Sequence, residues 1–101
     1  MKLNLNYRWM QLALNEAILA EKRCEVPVGA VIINLQNNKL ISKSGNNIVK
    51  KSNPTAHAEI EAINLALKIL NTKYLNNTAI YITLEPCIMC AAAICEVRIN
   101  K

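Results

Sequence analysis

With 101 residues, the chain has room for one domain. Apolar side chains make up 52% of it, too many for a disordered segment, and with four aromatics and no Phe the core has to come from Ile, Leu, Val and Ala. A formal charge of +5 suits a polyanionic partner such as nucleic acid, although many solvated surfaces carry as much. No apolar run approaches the roughly 18 residues of a membrane span, so no membrane partner is expected.

The first twenty residues are interrupted by Asn, Arg, Gln and Glu, unlike a secretory signal, and the expected location is the reducing cytoplasm. There, four cysteines are better explained by metal than by disulfides.

Leu12, Ala13, Ala17, Ile18 and Ala20 recur at helical spacing and predict an amphipathic helix over about residues 7–22. Lys22 and Arg23 fall at the negative end of its dipole. The run from Val28 to Leu35 predicts a well-buried strand. Gln36-Asn37-Asn38-Lys39 is turn chemistry, and Leu40 to Ser44 completes a hairpin. Gly45 to Asn53 reads as a polar loop. Lys43, Lys50 and Lys51 lie in or beside it, and a solvated face and a phosphate contact explain them equally well.

Pro54-Thr55 is predicted to open a second helix with the stripe Ile60, Ile63, Leu67 and Leu70. After a polar stretch, Ala79 to Thr83 predicts a third strand, and Cys87 to Val97 a third helix. Cys24 and Cys95 read as small buried hydrophobes. The order helix–strand–strand–helix–strand–helix calls for a sheet covered on both faces, a three-layer α/β/α sandwich. The third strand returns beside the hairpin through the second helix, a right-handed crossover. His57 and Cys87, at two helix starts, are then expected at one edge of the sheet, where ligands bind.

Chemistry concentrates in His57-Ala58-Glu59 and in Pro86-Cys87-Ile88-Met89-Cys90. A lone His in an Ala-rich helix is more often packing, and a lone Cys-x-x-Cys can be redox or structural. Together, His57, Cys87 and Cys90 are three ligands, one short of the four of structural zinc, and catalytic zinc leaves the fourth position to water. Cys87 and Cys90 share one face of a helix start, where the dipole favours thiolates. His57 and Glu59 are two residues apart, about 200° around an ideal helix. Either they occupy an irregular first turn, or only one faces the metal; spacing leaves both open. With both present, the set suits hydrolysis, in which zinc makes hydroxide available near neutral pH and Glu59 moves the water's proton.

The motifs and their flanks carry a family resemblance. The His-x-Glu with Pro-Cys-x-x-Cys pattern resembles the signature of zinc nucleobase deaminases. Glu25-Val26-Pro27-Val28-Gly29-Ala30-Val31-Ile32, Pro54-Thr55-Ala56-His57-Ala58-Glu59-Ile60 and Tyr81-Ile82-Thr83-Leu84-Glu85-Pro86-Cys87-Ile88-Met89-Cys90-Ala91 closely resemble bacterial tRNA adenosine deaminases. The resemblance covers nearly the whole chain. It implies a cytidine-deaminase-like fold, a Zn2+ cofactor on His57, Cys87 and Cys90, and Glu59 as catalytic proton shuttle. It also implies substrate contacts at Asn46, Val28 and Leu84, a tRNA anticodon stem-loop as partner, and a homodimer that converts the wobble adenosine to inosine.

Gly45 and Ala92 depart from the family, which commonly has a bulkier residue and a Gly there. Arg98-Ile99 resembles the link into a fourth strand, so the resemblance implies a single domain over 1–101 lacking the family's last strands and helices, with an open edge on the third strand. Within the same chemistry stands deamination of a free base or nucleotide (guanine, cytosine or cytidylate). Outside catalysis stands a zinc-binding fragment or partner subunit.

Overall fold

The computed structural model describes residues 3–100, with side chains from Tyr7 onward. Its central element is β1 (Gly29–Asn34), buried along its length except at Asn34. Such a strand must be apolar on both faces, hence the continuous run Ala30-Val31-Ile32-Ile33. On one flank it pairs antiparallel with β2 (Lys39–Gly45), from Gly29 opposite Gly45 to Asn34 opposite Lys39, with a register shift between Ile32 and Ile33. On the other it pairs antiparallel with β3 (Thr78–Ile82), from Ala30 opposite Ile82 to Asn34 opposite Thr78. The order β2-β1-β3 makes the outer strands parallel to each other.

The hairpin turn is set by asparagines. Asn34 Oδ1 accepts the Gln36 N–H at 2.8 Å, Asn37 Oδ1 accepts the Lys39 N–H at 3.0 Å, and Asn38 takes φ 55°. A short amide side chain bonding two residues ahead and a tolerance for left-handed backbone are what suit Asn to such turns.

Alternation along β1 divides the core in two. Val31 and Ile33 face α1 (Leu3–Lys22) through Trp9 and Ala13, joined by Ala79. Ala30 and Ile32 face α3 (Ala58–Leu70) through Ala58, Ala62, Ile63 and Ala66, with Leu75 fully enclosed beside them. Ala93 and Ile94 of α4 (Ile88–Glu96) pack against this second cluster. The three-layer sandwich expected from element order is therefore present.

Several local expectations are corrected. The second long helix begins at Ala58, not Pro54-Thr55: Asn53 Oδ1 takes both the Thr55 N–H (3.0 Å) and its hydroxyl (2.8 Å), holding those residues in a turn. Of the predicted stripe only Ile63 is buried, and Leu70 is exposed. Alanines carry the contact instead, because their small size lets the helix approach the sheet. The segment 45–53 is not all loop, since α2 (Ile48–Lys51) forms one short helix within it. Cys24 and Cys95 are both exposed. Cys24 lies in the reversal after α1 with φ 65°, and Ala93, Ile94 and Val97 occupy the inward positions around Cys95.

Beyond α4, the Asn100 N–H bonds Thr78 O at 3.1 Å and Asn100 Oδ1 takes the Asn77 N–H at 2.8 Å. Among the described residues no strand pairs with the outer edge of β3.

Close approach is tightest where α1 crosses Gly29. A Cβ there would lie 1.9 Å from Ala13 O, whereas one on Gly45 would lie 2.8 Å from Glu16 O. Gly29→Ala is expected to cost about 3 kcal/mol or more, and Gly45→Ala less, since both backbones would have to move. Urea unfolding checks this; a Gly29→Ala midpoint equal to wild type would contradict the packing described.

Candidate metal centre

α3 and α4 begin with the same local device. Each is preceded by an N-cap residue in extended conformation, His57 (φ −67°, ψ 156°) and Cys87 (φ −70°, ψ 173°). Neither side chain makes a capping hydrogen bond, so both are free to project from the helix ends. There they meet: His57 Nδ1 lies 3.6 Å from Cys87 Sγ and 3.5 Å from Cys90 Sγ. All three donor atoms fall within 4.8 Å of one another.

This arrangement answers the question that spacing left open. His57 stands just outside the helix and Glu59 is its second residue, so the ideal angle between them does not apply, and both line one cleft. The helix is capped from elsewhere: Asn46 Oδ1 accepts the Ala58 N–H at 2.7 Å.

The donor set fits zinc. A tetrahedral ion at usual bond lengths separates a histidine nitrogen from a cysteine sulfur by about 3.6 Å, close to both observed separations. Charge points the same way. The Cys90 amide N–H pulls the exposed Cys87 thiol below its ordinary range, while burial, helped by the Glu59 carboxylate, pushes Cys90 up to about 12. One thiol is primed to ionise and the other resists, and a bound cation favours the thiolate in both. His57 Nδ1, Cys87 Sγ and Cys90 Sγ are the atoms that would hold it.

The cleft has a volume of about 270 Å³. Val28, Asn46 and Leu84, the three residues expected at substrate, all line it. Asn46 and Val28 are buried, and Leu84 is 61% exposed at the rim. Glu59 is 4% exposed and lies against the Cys90 thiol. A buried carboxylate beside a metal site, facing an apolar slot, can carry protons to and from a flat ligand. Val26, Ile48 and Glu85 also line the cleft, and sequence reasoning did not find them. For Val26 and Ile48 the available signal was an apolar residue in otherwise polar loop sequence; for Glu85 there was none.

One wall, residues 46–51, is fastened by ionic groups. Glu25 accepts the Val49 N–H at 3.1 Å and the Lys50 N–H at 2.9 Å. Glu61 accepts Asn47 Nδ2 at 3.0 Å and pairs with Lys51 at 2.6 Å. Arg23 donates to Asn47 Oδ1 and to the Asn46 carbonyl. Of the lysines weighed for phosphate, Lys51 is thus paired with Glu61, and Lys43 lies 4.0 Å from Glu16.

Burial raises both the Glu25 and Glu61 carboxyls. It is outweighed by the amides of Lys50 and Val49 at Glu25, and by Lys51 and Asn47 at Glu61, leaving both below the usual range. Depressed folded values stabilise the protein above the ordinary carboxylate range, and that contribution is lost as pH falls through them. Stability measured by urea midpoint should therefore drop on acidification more steeply in wild type than in a Glu25→Gln/Glu61→Gln double variant. Parallel pH profiles would contradict the linkage.

Removing a sulfur tests the metal assignment. Cys87→Ala is expected to lose stoichiometric zinc by elemental analysis and to melt lower, because a metal bound only to the native state adds stability. Full zinc content in that variant would refute the three-ligand set.

Comparison with known proteins agrees with this geometry. The chain is 52% identical over 92 residues to a tRNA-specific adenosine deaminase of Rickettsia bellii, covering 91% of this chain and 63% of the relative. It is 47% identical over 93 residues to one of Aquifex aeolicus, covering 92% and 60%. The chain thus spans less than two thirds of the length of these relatives. Among solved structures, a tRNA:A34 deaminase superposes with TM-score 0.89 at 45% identity, over 93% of this chain and 71% of that one. A guanine deaminase from Bacillus subtilis superposes at 0.88 and 33% identity, over 93% and 59%. The profile of the cytidine and deoxycytidylate deaminase zinc-binding region matches residues 3–101, and the chain belongs to that zinc-dependent deaminase family.

Proposed function

We propose that the protein deaminates adenosine to inosine at the wobble position of a tRNA anticodon, as a cytoplasmic homodimer whose residues 1–101 form one deaminase-type domain. The observation that carries this reading is the buried Glu59 carboxylate, set beside the His57–Cys87–Cys90 group in a cleft walled by Val28, Asn46 and Leu84. Support for the substrate comes from the tRNA-specific relatives and from the +5 charge, which favours a polyanion.

Held by His57, Cys87 and Cys90, zinc would supply Lewis-acid activation of water near neutral pH. Glu59 would accept one proton of the attacking water and hand it to the purine ring nitrogen; it would then take the proton of the hydroxyl added at the amidine carbon and pass it to the amino group, which leaves as ammonia as that carbon becomes a carbonyl. Its low exposure keeps bulk water from competing for that proton. Val28 and Leu84 pack on the ring. Asn46, with Oδ1 committed to the Ala58 N–H, presents its amide NH2 as a donor to the base.

Glu59→Gln is expected to keep its zinc and to lose inosine formation on an anticodon stem-loop by about 10³-fold, the range of a general acid–base group. Metal content and turnover are measured on the same preparation. Deamination of free guanine with none of the stem-loop would replace this substrate with a free base. Wild-type turnover on neither would make the chain a zinc-binding protein without this chemistry.

A further inference from the structure

We propose that Glu25, which touches neither the metal donors nor the cleft, is a positioning residue that sets the wall on which Asn46 and Ile48 meet the base. The proposal rests on the deaminase reading above. Glu25 is only 6% exposed, and a carboxylate removed from water is costly unless its oxygens are hydrogen-bonded. Both oxygens are used, one by the Val49 N–H and one by the Lys50 N–H, two consecutive amides of α2.

That element has little else to hold it. Four residues are too few to be stable as an isolated helix. None of them is buried, Val49 is 65% exposed, and the N-cap Asn47 makes no side-chain cap bond. Packing contributes little, so the anchoring falls on polar contacts. Arg23 and Glu61 grip the segment through the Asn46 carbonyl and the side chains of Asn47 and Lys51. Among the described residues, only Glu25 takes its consecutive backbone amides into a buried position.

The consequence reaches the cleft through covalent neighbours. Asn46 and Ile48 belong to the anchored segment, while Val26 and Val28 lie one and three residues after Glu25, and all four line the cleft. One carboxylate thus ties two walls together and fixes the slot between them. The Asn46 N–H, bonded to Val28 O at 3.2 Å, adds a second tie between the same two walls. Loss of Glu25 leaves Glu59 and the metal donors in place, so substrate fit should suffer and proton transfer should not.

The test compares Glu25→Ala and Glu25→Gln with wild type, using zinc content, steady-state kinetics on an anticodon stem-loop, and amide hydrogen exchange. In Glu25→Ala, zinc stays stoichiometric and KM rises about tenfold, the scale of a lost hydrogen bond to a charged group, with kcat within about twofold. Exchange at Val49 and Lys50 accelerates while Ala58 and β1 stay protected. Glu25→Gln keeps one acceptor oxygen and recovers part of the loss.

An equal fall in kcat and in kcat/KM, or a uniform loss of protection across the fold, would assign Glu25 to the chemistry or to general stability and overturn the proposal. Unchanged exchange at Val49 and Lys50 would overturn it as well, whatever the kinetics. If wild type forms no inosine, the reaction assigned above is wrong, and the exchange measurement alone decides whether the clamp exists.

Discussion

Everything at the metal centre depends on two helices starting at the same place. His57 and Cys87 are the residues before α3 and α4, held in extended backbone with side chains not spent on their own caps. An N-cap residue normally turns its side chain back onto the helix amides. Here that task at α3 passes to Asn46, and the freed imidazole reaches the two sulfurs. The positive ends of both helix dipoles also converge there, which favours the anionic ligands a divalent cation needs. Asn46 therefore joins structure to chemistry: one end of its amide terminates a helix, and the rest lines the cleft.

Positioning that convergence is a matter of small residues. Gly29 admits the backbone of α1 on one face of β1, and Ala58, Ala62 and Ala66 bring α3 down on the other. With few aromatic side chains, shape fit comes from close backbone approach more than from large interlocking groups. The thickness of the sandwich, and so the position of the α3 start relative to α4, follows from these positions.

Electrostatics around the cleft shows two uses of buried acid. Glu59 is kept beside a buried thiol, with burial and like charge opposing ionisation at Cys90, an arrangement that a metal cation relieves. Glu25 and Glu61 are the reverse case: two backbone amides hold both oxygens of Glu25, and Lys51 and Asn47 hold one oxygen of Glu61, keeping both carboxyls below the usual range.

By itself the sequence determined the candidate donor trio, the order of the long elements and the three-layer class. The reason is that ligand identity and apolar periodicity are local properties: His57, Cys87 and Cys90 can be read as a trio, and β1 declares its burial through an unbroken apolar run. Tertiary structure decided what depends on contacts distant along the chain. Whether His57 and Glu59 converge was undetermined by a two-residue spacing, and a helix start shifted from Pro54 to Ala58 resolved it. Periodicity of large apolar residues does not reveal the buried face of α3, because Ala58, Ala62 and Ala66 make the contact and closeness to the facing sheet is the requirement. Cys24 and Cys95 are apolar by residue type but exposed by position. Glu25 carried no sign of its role, since its partners lie 24 and 25 residues away as anonymous backbone amides, to which any side chain sequence could belong.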